Sequence, residues 1–273
     1  MRPLLSVVLL QCIFFTVTNA QIYVNGRVLQ TSQQAISYVN IGIKGKNKGT
    51  VANEKGEFSL SLTAELINDT LTFSCIGFEE LNLPVQQIIK EKTSVFYLKE
   101  KMLGLKEIII STRKPEIKKI GTKSTNPLLW GDATSKDGKD IVEMGRFIEI
   151  KKASEIQKLN IYLKGISNNS ATFRINFYAV KDEMPGERII EKNILCKKDL
   201  SKGWLEIDLT EYNLFFEQDF VVAIEFLPEK DSKGYSFSYG GQMGGSTFTR
   251  TSSLGTWKKL KGASLSMYLT VKQ

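Results

Sequence analysis

Along most of the chain, apolar and polar residues alternate with a period of two. In "VNIGIKGKNKGTVANEKGEFSLSL", Val39, Ile41 and Ile43 alternate with Asn40, Gly42 and Lys44, the pattern of a strand with one buried face. The following "GKNKG" predicts a turn, because Gly and Asn take positive φ at little steric cost. "TVAN" reads as a short strand and "EKGE" as another turn, after which Phe58, Leu60 and Leu62 resume the alternation. Upstream, "QIYVNGRVL" predicts a strand with a bulge or bend at Gly26. Downstream, Leu71, Phe73 and Cys75 alternate until Gly77-Phe78 breaks the run, and "SVFYL" closes the unit. Six or seven short strands at this spacing predict a small β-sandwich over residues 21–99.

A second series begins near Leu128. Leu159, Ile161 and Leu163 alternate, as do Phe173, Ile175, Phe177 and Ala179, then Leu205, Ile207 and Leu209, and finally Leu265, Met267, Leu269 and Val271. "FVVAIEF", Phe220 to Phe226, is a continuous apolar strand, expected where both faces are covered. "MPGE", "SKGW" and "EKDSKG" supply turns, and no amphipathic helix of convincing length is found here. The expectation is an all-β chain of two β-sandwich domains, the second over residues 128–273. Residues 100–127 are expected to connect them, with "EIIIS" as an extra strand and the Lys-rich remainder as a solvated linker.

The first series carries further motifs. Gly26 lies in the first strand, Gly49, Thr50, Asn53, Gly56 and Phe58 in the middle, and Ser74, Ile76, Gly77 and Phe78 near the end. These residues resemble the carboxypeptidase-regulatory-like domain, a transthyretin-like sandwich, and the resemblance implies an accessory or interaction module without catalysis. Leu105, Glu107 and Ile108 to Ile110 resemble the segment after such domains in TonB-dependent outer-membrane receptors. No plug and no long run of barrel strands follows, so a receptor function is not implied. The second series is similar to a jelly-roll-like sandwich of some Bacteroidota-type envelope proteins and, more distantly, to sandwich domains that bind sugars.

The N-terminus changes the picture of location. Met1-Arg2, the apolar run "LLSVVLLQCIFFTV" and Ala20 read as a secretory signal peptide over residues 1–20, cleaved after Ala20. That run is shorter than the roughly 20 residues a spanning helix needs, and Gln11 before Cys12 argues against lipidation. No transmembrane segment is expected in the mature chain, which is placed in the periplasm, at the cell surface or outside the cell. Only Cys75 and Cys196 remain after cleavage, both in apolar strand patterns, so buried free thiols are expected rather than a disulfide framework.

Charge changes it less than the total suggests. The net charge is +8, and Lys99 to Lys123 contains eight basic and three acidic residues. The excess belongs to a connector rather than to a basic face, so nucleic acid is not expected as a partner. Histidine is absent, which excludes Ser-His-Asp and Cys-His mechanisms and imidazole-ligated metals. The carboxylate pairs Glu183 with Glu187 and Asp208 with Glu211 sit at turns or strand ends, where a solvated charge is the ordinary reading. Asp132, Asp137 and Asp140 in "DATSKDGKD" offer hard oxygen ligands for Ca²⁺ without EF-hand spacing, and read as a polar surface loop. No cofactor and no enzyme activity is expected.

One stretch suggests a ligand. In "YSFSYGGQMGGSTFTRTSSLGTWKKL" the glycines allow close backbone approach, Tyr239, Phe248 and Trp257 offer rings for a sugar face, and Gln242 and Arg250 offer hydrogen bonds. The alternative is a glycine-rich hairpin whose aromatics complete the sandwich. The sequence therefore supports a non-enzymatic binding or structural protein of the envelope. Its partner is expected to be a glycan met through residues 235–260, or an envelope protein docked through the connector.

Overall fold

The computed structural model describes residues 21–101, 115–135, 140–167, 169–228 and 235–273. Its first unit contains β1 (Gln21–Gln30), β2 (Asn40–Ile43), β3 (Lys48–Val51), β4 (Glu57–Thr63), β5 (Thr70–Ser74), β6 (Leu81–Pro84), helix α1 (Val85–Glu91) and β7 (Val95–Leu98). The strands form a three-stranded sheet ordered β4-β1-β7 and a four-stranded sheet ordered β3-β2-β5-β6. Alternation does what the sequence required of it: Phe58, Leu60 and Leu62 point into one core with Ile41, Phe73 and Phe96. Phe73 and Phe96 stack with ring centres 4.5 Å apart, and Phe58 meets Phe73 edge-on at 5.7 Å. Helix α1 was not expected. Its Val85 and Ile88, three residues apart, are buried and form the short apolar stripe that holds it to the core.

Gly26 corrects another expectation. Pairing of β1 with β4 runs without a break from Gln21 opposite Thr63 to Arg27 opposite Glu57, so no bulge lies there. The residue is glycine because β7 crosses over it: a Cβ would stand 2.6 Å from both the Phe96 ring and the Ser94 carbonyl.

The second unit contains β8 (Ile117–Gly121), β9 (Asn126–Ser135), β10 (Val142–Ile148), β11 (Ser154–Ile166), β12 (Ser170–Lys181), β13 (Met184–Arg188), β14 (Ile194–Asp199), β15 (Gly203–Asp208), β16 (Leu214–Phe216), β17 (Phe220–Leu227), β18 (Tyr235–Arg250), β19 (Lys258–Leu265) and β20 (Met267–Lys272). They form one 13-stranded sheet that folds on itself, with the path β13-β12-β17-β10-β18-β11-β20-β8. Strand β18 joins the two layers. It pairs with β9 and β11 at its start, and with β19 and β10 at its end. Phe173, Ile175, Phe177, Ile224 and Phe226 of one layer pack against Leu159, Ile161, Leu163, Leu269 and Val271 of the other. The chain is all-β with sandwich domains, as the period of two requires.

The connector is shorter than the sequence suggested. Ile117–Gly121 pairs with β20 as an edge strand, and Asn126 begins β9. "EIIIS" lies outside the described residues, as do Met1–Ala20 and the turn "EKDSKG" from Glu229. No helix among the described residues is long and apolar enough to cross a membrane.

Candidate functional site

The five residues picked from the sequence do not form one groove. Strand β18 has register shifts between Gly240 and Gly241 and between Met243 and Ser246, and it changes partners along its length. Its rings therefore end in different places. Tyr239 is buried in the main core, and burial raises its phenol pKa. Phe248 is buried in a separate cluster with Tyr178, Val221 and Ala223. Gln242 is half-buried on the β18–β19 ladder opposite Ser264. Arg250 and Trp257 do meet, with the guanidinium 4.7 Å from the indole ring centre. Arg250 is buried and ion-paired with Glu143 at 2.6 Å, so it is not a free hydrogen-bond donor for a sugar.

Arg250 instead belongs to a row of charges across the outer face of one layer. Arg174 on β12 lies opposite Glu225 on β17, Glu225 opposite Glu143 on β10, and Glu143 opposite Arg250 on β18. Two carboxylates directly opposed in a buried site repel each other, so each must be compensated. Arg174 Nη1 donates to both Glu225 oxygens, at 3.4 and 3.2 Å. Arg250 Nε donates to Glu143 Oε2 at 2.6 Å. Asn176 Nδ2 lies between the acids and donates to Glu143 Oε1 at 2.8 Å and to Glu225 Oε2 at 2.7 Å. The Tyr178 hydroxyl adds a bond to Glu143 at 2.7 Å. Burial pushes the Glu225 carboxyl up, but Arg174, Arg188 and Arg250 outweigh it and hold the group below the usual range.

The first unit closes this row. Asn40 Nδ2 donates to Glu225 Oε1 at 3.1 Å, and Arg174 Nη2 donates to the Tyr38 carbonyl. Tyr38 has φ of 56°, a conformation uncommon outside glycine that costs on the order of 1 kcal/mol and persists where its surroundings require it. The β2–β3 hairpin seats on residues 252–256. A Cβ at Gly42 or Gly49 would lie 2.6 or 2.7 Å from the Ser253 carbonyl. Asn47 Oδ1 accepts the Thr256 N–H at 2.9 Å, and Gly45 N–H donates to Leu254. Asp140 accepts the Ser253 N–H at 2.9 Å. It is half-buried, and desolvation raises its pKa, so it is not the solvated loop acid expected. Asp132 is exposed and accepts the Ser238 hydroxyl at 2.6 Å; Asp137 lies outside the described residues. The other carboxylates are engaged locally: Glu183 pairs with Lys259 at 2.7 Å, and Asp208 accepts the Thr210 hydroxyl at 2.6 Å.

The outer face of the second layer is different. It faces solvent and carries aromatic rings. Tyr162 on β11 and Trp204 on β15 are a directly opposed cross-strand pair with ring centres 5.4 Å apart. Tyr268 on β20 continues the row, 4.9 Å from Trp204. Beyond them stands Trp130 on β9, with Lys164 Nζ 3.9 Å above its ring. Gly240 lies between, paired with Trp130, and a Cβ there would be 2.7 Å from Tyr162 Cδ1. The missing side chain is what lets Tyr162 lie across strand β18. Trp130 is 53% and Trp204 38% exposed. Lys119, Lys158, Glu206 and Asp132 ring the face with polar groups.

The sequence signal for this face was present and unread. Trp204, Tyr162 and Tyr268 occupy the phase opposite to the core residues Leu205, Ile161 and Met267, where polar residues are the rule on a solvated strand.

Comparison with known proteins finds a similarity for the first unit. Residues 24–110 match the CarboxypepD_reg-like domain. The CarboxypepD_reg-like domain is non-catalytic; of the motif glycines, Gly49 seats β3 against Ser253, whereas Gly26 lies under Ser94 and Phe96 and Gly56 against the Val28 carbonyl. No curated protein matches the chain. Among solved structures, the cysteine protease and lectin-like domains of Cwp84, a surface-layer-associated protein of Clostridium difficile, align at 6% identity and a TM-score of 0.37, over 50% of this chain and 33% of that one. The VP2 subviral particle of infectious bursal disease virus aligns at 11% identity and a TM-score of 0.31, over 92% of this chain and 63% of that one. The chain thus spans a third of the length of the Cwp84 structure. Similarities at this level assign no role to any residue here.

Proposed function

We propose that this is an exported, non-catalytic carbohydrate-binding protein of the cell envelope. In this reading the regulatory-like domain is a rigid base, and the outer face around Trp130, Tyr162, Trp204 and Tyr268 is the binding surface. The observation that carries it is the asymmetry of the C-terminal sandwich. One outer face is sealed by the first unit over a charge row, while the other leaves Trp130 and Trp204 open to solvent, with Tyr162 half-buried and Tyr268 buried beside them. Two exposed tryptophans on a face floored by Tyr162 and Tyr268, rimmed by Lys, Glu and Asp, suit the alternating apolar faces and hydroxyl edges of a sugar chain.

A glycan array probed with residues 21–273, beside Trp204→Ala and Trp257→Ala, tests this. Trp204→Ala should lose retention and Trp257→Ala should keep it. The reverse result would return the site to the loop at 235–260, and an array blank for the wild type would remove carbohydrate altogether. Export is read from the first twenty residues, and mass spectrometry of the secreted chain should find Gln21 as its first residue.

A further inference from the structure

A cleft lies at the edge of the sandwich. Strands β8 and β10 stand across this cleft of about 510 Å³, walled by Ile120, Gly121, Phe147 and Ile148. That volume is in the range of small-molecule sites, roughly 300–1,000 Å³. Arg146 enters the cleft from β10. Its Nη1 donates to the Leu265 carbonyl at 3.3 Å, and its buried Nε has no hydrogen-bond partner among the described residues. Buried guanidinium N–H groups are ordinarily paired, so an arginine that lines a cleft with its Nε unpaired marks a place for an acceptor near its guanidinium.

The rim has the same sign. Lys118, Lys151 and Lys152 line the cleft, and Glu149 is the acidic side chain among the described lining residues, with Gln273 beside it. Lys118 is paired outward with Glu116 at 3.0 Å, and Lys151 meets Glu149 at 3.7 Å. Among the described residues no carboxylate faces Arg146. Burial lowers the Arg146 pKa from its ordinary value, yet a guanidinium stays protonated at neutral pH. The other three arginines of the described sandwich each face a carboxylate: Arg174 and Arg188 face Glu225, and Arg250 faces Glu143.

We infer that the β8–β10 cleft binds a small organic oxyanion, its charged group held by Arg146 with Lys152 at the rim and its body resting against Ile120 and Phe147. The shared chemistry is a carboxylate or phosphate on a compact, partly apolar body such as a sugar ring. Guanidinium–oxyanion pairing is charge-assisted and often bidentate, which favours Arg146 over the lysines as the anchor.

Isothermal titration of residues 21–273 with glucuronate, glucose 6-phosphate and glucose tests this, with glucose as the uncharged control. Saturable binding of either anion with none for glucose is expected, and the two arms separate carboxylate from phosphate. Arg146→Gln should weaken the anion roughly tenfold or more, and Arg146→Lys should restore part of it. Lys152→Gln on the exposed rim should weaken it less and leaves the core untouched, so the test survives if Arg146→Gln misfolds. Trp204→Ala should leave anion binding unchanged, which keeps this site distinct from the aromatic face. Absence of anion binding, equal binding of glucose, or a Lys152→Gln and Arg146→Lys pair indistinguishable from wild type would overturn the inference.

Discussion

Glu225→Gln is the sharpest probe of how the two units are joined. The substitution keeps shape and removes one charge. In the native protein that carboxylate receives Arg174 at 3.2 and 3.4 Å, Asn176 at 2.7 Å and Asn40 at 3.1 Å, with Arg188 at 3.9 Å. An amide offers one acceptor oxygen and turns an NH₂ toward donors. Arg174 and Arg188 are then left in a dry site without a counter-charge. Breaking a buried pair by removing one partner costs about 3–5 kcal/mol, because the remaining charge keeps its desolvation penalty. For a chain of this size roughly 2–4 °C of Tm accompanies each kcal/mol, so a fall of about 6–20 °C is expected by scanning calorimetry. Asn40 lies on β2, so the regulatory-like domain should melt with or before the sandwich rather than after it. The exposed pair Lys158–Glu206 has an equally short contact, 2.6 Å, but it stands in water. Glu206→Gln should leave Tm where it is, since solvent screens the pair. A Glu225→Gln protein melting within about 2 °C of wild type would refute the claim that the charge row holds the units together.

Other outcomes follow from the same geometry. The folded pKa of Glu225 is depressed, so its ionised form contributes stability above the unfolded carboxyl value near ~4.3, and that contribution is lost as pH falls through the folded value. Urea midpoints measured between about pH 6 and pH 2 should drop more steeply for wild type than for Glu225→Gln; parallel curves would contradict the assignment. Asp140 carries the opposite sign. Its raised pKa means that protonation adds stability as pH falls through the folded value, opposing the loss at Glu225, so Asp140→Asn should lose loop docking and fall more steeply than wild type on the acid limb. Gly49→Ala drives a Cβ to 2.7 Å from the Ser253 carbonyl and should cost about 1–3 kcal/mol, with faster proteolysis at residues 252–256. Burial pushes the Cys196 thiol up to about 11 and raises that of Cys75, so both should resist a thiol reagent at about pH 8 until urea is added.

Much of the fold was legible because strand alternation is a local property. Phe58, Leu60 and Leu62, or Leu159, Ile161 and Leu163, announce their buried face without reference to a partner strand. What could not be read was which second surface covers an outer face. Glu225 interrupts the apolar run "FVVAIEF", and Arg174 sits among Thr172, Phe173 and Ile175. Each is a buried charge in a strand interior and therefore a sign of a partner, but the partners are 51 residues apart and meet only through the pairing of β12 with β17. The glycine-rich stretch misled for the opposite reason. Its rings looked clustered in sequence, yet register shifts in β18 send Tyr239 and Phe248 to different cores. Trp130, Tyr162, Trp204 and Tyr268 are scattered over some 140 residues, and only the sheet brings them to one face.

The aromatic face is the central claim, and intrinsic fluorescence tests it directly. The chain has three tryptophans, so Trp257→Phe leaves Trp130 and Trp204 as the reporters. Acrylamide quenching of that variant should be strong and should fall in a saturable way as a neutral oligosaccharide chosen from the array is added. Quenching that is unchanged at saturating sugar, while the wild type still binds it, would place the carbohydrate elsewhere and contradict the account.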